Sequence, residues 1–276
     1  MNSLCWDTNS ELGRIYNACV LYMTIPSILT RVGSKIPIRD LVKKNAPDDF
    51  NVYIEPFVGS GVVYLHMDLD PAVKAVISDL DPALVEAHKI IKSNPPLTGI
   101  SKYENLTPEQ TERLVNGRRP IGSLGKLARY TAYSSGGFSG KIAMRKDGTY
   151  PLYKFADIAK KLRRIPETAE YMKNTTVLNQ DYKTVIRKYD RPGAFIYLDP
   201  PYENSDGLYE FPDMDYDEMA RVLSRVKGKF LMSINDSPNI RKIFKNFFIH
   251  KVVVRGGGND SSLGGGNRKE LFVSNY

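Results

Sequence analysis

The chain is poor in the residues that build metal centres and disulfide frameworks. It has two cysteines, Cys5 and Cys19, both near the N-terminus and in no ligand-like spacing. No metal site and no disulfide scaffold is therefore expected, and a reducing interior such as the cytoplasm is the expected setting. The three histidines, His66, His88 and His250, are scattered, which argues against a histidine-based metal site or catalytic triad. No apolar run approaches the roughly 20 residues that cross a bilayer. The opening MNSLCWDTNSELGR lacks the basic start and apolar stretch of a secretory signal. Neither membrane insertion nor secretion is expected. Internal repeats are also missing. The 42% hydrophobic and 25% charged content exclude a mostly disordered chain. A length of 276 residues allows one large domain, or one domain carrying a sizeable insert.

Charge is present, and it is concentrated. Between Pro95 and Thr175 lie 15 of the 39 Lys/Arg and 7 of the 31 Asp/Glu, which leaves 24 of each elsewhere. The whole formal surplus of +8 thus sits in one contiguous block. A solvated basic face is the bland reading. Concentration in one segment favours a polyanion partner, because Lys and Arg that neutralise phosphates release condensed counterions.

On both sides of that block the chain alternates between strand-like and helix-like segments. NVYIEPF and AVKAVIS are short apolar strand candidates, and Asp81-Pro82 opens PALVEAHKIIKS as an N-cap followed by proline at the first helical position. After the block, TTVLNQ, AFIYLDP and KFLMSIN alternate with the helical patterns MDYDEMARVLSRVKG and SPNIRKIFKNF. FIHKVVVR and KELFVSNY close the chain around a glycine-rich loop, which predicts an antiparallel pair ending a mostly parallel sheet. The block itself holds helical pieces, TPEQTERLVNG and YKFADIAKKLRRI, around the glycine-rich polar stretch TAYSSGGFSGKIAMRKDGTYP. The expected fold is α/β: a Rossmann-like core, residues 27–94 and 175–276, split by a mainly helical basic insert, residues 95–174. Residues 1–26 form an extension without a recognisable motif, and Met23 is an alternative start.

Phe57-Val58-Gly59-Ser60-Gly61 stands where the first strand turns into a helix, and its two glycines let backbone bend sharply beside a ligand. The dinucleotide fingerprint wants a third glycine where Tyr64 stands. Asp79, 20 residues after Gly59, ends the second strand, where a carboxylate can accept hydrogen bonds from ribose hydroxyls. A ribosylated cofactor fits this pair, while a nicotinamide dinucleotide and S-adenosylmethionine both remain open; a tight turn plus a helix cap is the structural alternative.

Asp199-Pro200-Pro201-Tyr202 separates those cofactors. It follows the apolar run AFIYL and so lies at the carboxyl end of a strand, where open α/β sheets bind ligands. The lone pair of an adenine amine is delocalised into the ring and attacks poorly. An acceptor for its N–H bonds draws the nitrogen towards a tetrahedral, more reactive geometry as positive charge develops. Asp199 supplies one acceptor. Consecutive prolines stiffen the backbone, and the Pro200 carbonyl can supply the second. Tyr202 offers a face on which an extruded base stacks.

This order of motifs resembles the Dam-type (D12 class, alpha-group) DNA adenine-N6 methyltransferases, over roughly Ser27 to the C-terminus. The resemblance implies a site-specific methyltransferase that moves a methyl group from S-adenosylmethionine to N6 of a flipped-out adenine, releasing S-adenosylhomocysteine and using no metal. It implies that Pro56, Phe57, Gly59 and Gly61 form the cofactor loop and that Asp79, with Leu80, binds the ribose end. Asp181-Tyr182 would hold the cofactor's adenine, and Gly33-Ser34-Lys35 would lie near its methionine end. Asp199, Pro200, Pro201 and Tyr202 are the implied catalytic motif, with Asp199 also beside the cofactor. The chain departs from the family in having Arg31 or Val32 where an aromatic residue is usual. In the insert, Phe138 keeps the place of an aromatic that wedges into the base stack, while Ser139 replaces the following asparagine. Serine cannot make that residue's bidentate contact, so a GATC target is not carried over. Arg145-Lys146-Asp147-Gly148 resembles the tip of a DNA-reading hairpin, where arginine can grip guanine O6 and N7. Arg118, Arg119, Arg129 and Lys141 are expected at phosphates, and Tyr133 joins the DNA-facing set. The expected partner is double-stranded DNA, and the expected state a monomer or weak dimer. The alternatives are an RNA adenine or DNA cytosine-N4 methyltransferase, a nucleic-acid-binding protein with a decayed site, and, more remotely, a nicotinamide-dependent oxidoreductase.

Overall fold

A computed structural model of the chain describes residues 25–31, 33, 35–137, 144–203, 214–254 and 268–276. The sequence places short, mainly apolar segments between amphipathic ones, and these apolar segments become the middle of a sheet. β1 (Val52–Glu55) and β4 (Ala194–Leu198) are buried at every position, as expected for strands covered on both faces. With β2 (Lys74–Ser78), β3 (Thr175–Leu178), β5 (Lys229–Asn235), β6 (Phe248–Val254) and β7 (Arg268–Ser274), they form a 7-stranded sheet in the order β3-β2-β1-β4-β5-β7-β6. The pairings from β3 through β5 are parallel. β7 runs antiparallel between β5 and β6, so the C-terminal pair is antiparallel as its glycine-rich connection predicts.

Strand side chains alternate between two cores. Tyr53 and Phe195 point into one with α1 (Arg39–Asn45), α2 (Val62–His66) and α3 (Pro82–Lys92). Val52, Ile54 and Ile196 point into the other, covered by α8 (Tyr182–Tyr189), α9 (Tyr216–Leu223) and α10 (Pro238–Ile243). Asp81 caps α3 by accepting from the Ala83 and Leu84 amides, with Pro82 at the first position, as the sequence predicts.

Between α3 and β3 the chain forms α4 (Pro108–Asn116), α5 (Ser123–Gly136), α6 (Ile158–Leu162) and α7 (Ile165–Tyr171). Thr107 and Gln110 make a reciprocal capping box on α4. α5 runs well into the stretch whose glycines and serines read as loop. Leu124, Leu127, Ala128 and Ala132 give it a buried face, and Gly136 lets Leu152 and the Lys154 backbone approach where a Cβ would meet Leu152 Cδ2 at 2.6 Å. Tertiary packing overrides weak local propensity there. These helices share the first core with Tyr64, Leu84 and Ile91.

Candidate active site

Strand order reverses between β1 and β4, which leave the sheet centre with their next connections on opposite sides. A crevice outside the carboxyl ends of the strands is expected at such a point. β1, β2 and β4 deliver the glycine loop, Asp79 and Asp199-Pro200-Pro201-Tyr202 to this one edge.

Gly59 and Gly61 adopt left-handed φ values of 50° and 75°, a conformation that costs other residues about 1–2 kcal/mol. The Gly59 amide donates to Asp79 Oδ2 at 3.0 Å, and the Val58 amide donates to the Ser78 carbonyl at 2.9 Å. The loop from β1 is thus tied to the end of β2. Asp79 Oδ1 accepts from the Asp81 amide at 3.0 Å. Leu80 is exposed, and Asn179 Nδ2 holds the carbonyls of Asp79 and Leu80 at 2.9 and 3.0 Å. Pro56 is buried, while half-buried Phe57 stacks on Tyr182 with ring centroids 5.6 Å apart. Both oxygens of Asp181 are engaged in its own helix: Oδ1 caps the Thr184 amide at 3.1 Å and Oδ2 accepts from the Thr184 hydroxyl at 2.6 Å.

The Asp199-Pro200-Pro201-Tyr202 turn faces a cation. Lys35 Nζ lies 2.7 Å from Asp199 Oδ1 and 4.5 Å from the centre of the Tyr202 ring. Ser233 on β5 reaches the same Oδ1 at 3.4 Å and bonds Tyr197 Oη at 2.9 Å. Burial pushes the Asp199 carboxyl up to about 6; Lys35 opposes the shift and the charge of Glu270 adds to it. The Pro201 carbonyl accepts from Tyr216 Oη at 2.6 Å, and the Glu203 amide donates to Asn235 Oδ1 at 3.1 Å, which fixes the turn against α9 and β5.

Several participants carry no local sequence signal. Glu55, buried in β1, accepts from Tyr53 Oη at 2.6 Å, and burial holds its carboxyl well above the usual carboxylate range. Glu270 is buried on β7 opposite Asn235 and raises the Asp199 and Tyr202 acid groups. His88, on α3, reaches back to the Gly59 carbonyl at 2.9 Å. Arg31 pairs with Asp81 at 2.5 Å beside the glycine loop. Only a charged residue inside an otherwise apolar strand hinted at Glu55; the others depend on tertiary proximity.

The DNA-facing expectations divide. Arg118 and Arg119 are exposed, and Arg129 is half-buried with its Nε donating to the Val115 carbonyl at 2.9 Å. Burial and the neighbouring Arg119 lower the Arg129 pKa. Tyr133 packs between Tyr130 and Tyr150, with centroids 6.2 and 4.8 Å away. Arg145 and Lys146 are exposed on a tight turn closed by the Gly148 amide on the Arg145 carbonyl and by the Arg145 amide on the Thr149 carbonyl. Phe138, Ser139 and Lys141 lie outside the described residues, as do Val32 and Ser34. A separate hollow of about 260 Å³, lined by Tyr64, Tyr171 and Lys173 among others, opens near the amino ends of β2 and β3 and holds none of the motif residues.

The donor set suits S-adenosylmethionine. Left-handed glycines keep side chains off the loop, Asp79 supplies a carboxylate for hydroxyls, exposed Leu80 offers an apolar face, and the Asp199 carboxylate suits a neighbouring positive centre. The profile of the D12 class N6 adenine-specific DNA methyltransferases matches residues 32–255. The chain is 25% identical to the Type II methyltransferase M1.LlaDCHI of Lactococcus lactis subsp. cremoris, over 88% of this chain and 93% of that protein. It is 24% identical to the Type II methyltransferase M.MjaIII of Methanocaldococcus jannaschii, over 92% of this chain and 100% of that protein. TrmN from Thermus thermophilus aligns in structure with a TM-score of 0.42 and 14% identity, over 87% of this chain and 48% of that one. With four-fifths of its length matching one profile, and a half-buried Asp-Pro-Pro-Tyr turn at the end of the strand next to the one that carries the glycine loop, the chain belongs to the D12 class of N6 adenine-specific DNA methyltransferases.

Proposed function

We propose that this chain methylates N6 of an adenine extruded from double-stranded DNA, with Asp199 and Pro200 as the amine acceptors. The observation that carries this reading is the half-buried Asp199 at the end of β4, beside Tyr202 and across the strand reversal from Gly59 and Asp79. S-adenosylmethionine, when bound, supplies an electrophilic methyl group on a sulfonium centre. Gly59, Gly61, Asp79, Leu80 and Phe57 would hold it, with Lys35 towards its carboxylate end. Asp181-Tyr182 would lie at its adenine; Asp181 also fixes the first turn of α8 with one bond to each oxygen, which leaves acceptor capacity on both.

Lys35 and Ser233 both contact Oδ1 of Asp199, so Oδ2 is assigned to the target amine. The Pro200 carbonyl takes the second N–H, because the Pro201 carbonyl is committed to Tyr216. Acceptors fixed in a half-buried site need little reorganisation as charge grows on the nitrogen. Tyr202 provides the stacking face, and the Lys35 ammonium now over that ring has to move aside when the base enters. The basic insert, residues 95–174, would bring Arg118, Arg119, Arg129, Arg145 and Lys146 to the duplex, with the core formed by 27–94 and 175–276.

The test is direct. Purified protein is incubated with labelled donor and duplex DNA, single-stranded DNA or RNA, and the products are hydrolysed to nucleosides. Label in N6-methyladenine from duplex DNA is expected; label only in N4-methylcytosine or in RNA overturns the assignment.

A further inference from the structure

Away from the motif residues, Lys161 on α6 stands at the seam between the N-terminal loop and the insert. Its Nζ donates to Thr30 Oγ1 and to Ser135 Oγ, each at 2.8 Å, and the two hydroxyls lie 3.4 Å apart. Lys161 forms no ion pair with a carboxylate among the described residues. Burial lowers its pKa, and the neighbouring Arg164 lowers it further. A half-buried ammonium that meets, among the described residues, hydroxyls and another cation is poorly compensated.

The hydrogen-bond inventory explains what would compensate it. A hydroxyl that accepts from an ammonium keeps its own proton to donate; one of the two can spend it on the other across 3.4 Å, which leaves one hydroxyl proton and the third N–H of the ammonium. The cluster therefore presents converging donors and, among the described residues, no charged acceptor, which is the chemistry of a phosphate cradle. Its position agrees. Thr30 precedes Arg31 at the glycine loop and lies five residues before Lys35 at Asp199, a span of at most about 18 Å of chain. Ser135 lies near the end of α5, directly before the stretch that carries Phe138.

We infer that Lys161, Thr30 and Ser135 form a binding site for one backbone phosphate of the strand that carries the target adenine. This rests on the DNA reading above, and it adds a contact that holds the strand while the base is turned out. Phosphate contacts fix register without reading sequence, so the loss on removing this one is uniform across DNA sequences.

The experiment uses the full chain and a duplex carrying one target site, found by sequencing methylated DNA. DNA affinity of wild type, Lys161→Met and Lys161→Arg is measured across a salt series. Lys161→Met is expected to weaken binding several-fold and flatten the log–log salt slope by about 0.9, with binding of S-adenosylmethionine unchanged. Lys161→Arg is expected to keep the slope. Uncharged methylphosphonates are then placed singly at each phosphate flanking the target adenine. At one position wild type should lose what Lys161→Met loses, and the variant should lose nothing more there. An unchanged slope in Lys161→Met, or losses that multiply at every methylphosphonate position, overturns the site. Thr30→Val and Ser135→Ala, which each remove one donor and leave the lysine, should each weaken binding to the unmodified duplex but not to that one modified duplex. Failure of wild type to form N6-methyladenine in the unmodified duplex overturns the enzymatic reading instead, and the salt slopes still judge the phosphate contact.

Discussion

At the residue scale the decisive quantity is the acidity of Asp199. Its carboxyl titrates near 6 because burial disfavours the charged form, Lys35 restores part of that cost and Glu270 adds to it. The acceptor role needs the ionised form, so kcat/KM at low cofactor should fall on the acid side of an inflection near pH 6. Lys35→Met removes the opposing cation and should move that inflection up; Glu270→Gln removes a like charge and should move it down. Shifts in one common direction would contradict the arrangement. The linkage sign gives a second outcome. A folded pKa raised above the ordinary carboxylate value means that folding favours the neutral group, so this contribution is present below about pH 4 and lost as pH rises through about 6. Asp199→Asn should therefore lower turnover by about 10²–10³-fold while raising the melting temperature at pH 8 more than at pH 5. Parallel activity assays and melting curves check both. The position of Asp199 was legible because the Asp-Pro-Pro-Tyr run follows an apolar strand. Its acidity was not, because Lys35, Ser233 and Glu270 come from three distant places in the chain.

At the element scale the glycine loop and α8 carry the argument. Gly61 is the left-handed N-cap of α2, and a Cβ there would meet His88 Cε1 at 3.2 Å. Gly61→Ala should cost about 1–2 kcal/mol from the backbone alone, measured by denaturant unfolding, and should weaken S-adenosylmethionine binding as well. The start of α8 offers a second test. Asp181→Ala removes a cap on Thr184 and should cost about 1 kcal/mol of stability. S-adenosylmethionine affinity should fall further than that loss of stability accounts for; unchanged affinity would confine Asp181 to the cap. The strands were legible from their apolar runs, since β1 and β4 are buried at every position. The reach of α5 through Ser134 and Ser135 was not, because its glycines and serines read as loop until Leu152 and the Lys154 backbone pack against Gly136.

At the scale of the whole molecule the formal surplus of +8, concentrated in residues 95–174, should govern DNA affinity. Binding should weaken by about 10³-fold or more between 50 and 200 mM salt if six or more phosphates are neutralised. A flat response in a fluorescence titration would remove the electrostatic role of the insert. That segment also completes one of the two cores, since Leu124, Leu127 and Leu162 bury with Tyr64 and Leu84. Substitutions at those leucines should lower the stability of the sheet as well as of the insert.

The sequence by itself determined which segments are strands, where the glycine loop and the Asp-Pro-Pro-Tyr turn stand, and where the charge lies. These are properties of short runs, written in periodicity, proline and glycine chemistry, and counts. Only the tertiary structure decided that β7 slots between β5 and β6, which sets Glu270 behind Tyr202, that Lys35 occupies the Asp199 carboxylate, and that Lys161 meets Thr30 and Ser135. Each of these joins residues far apart along the chain. Electrostatic and hydrogen-bond energies depend on distance in space, which no local pattern encodes.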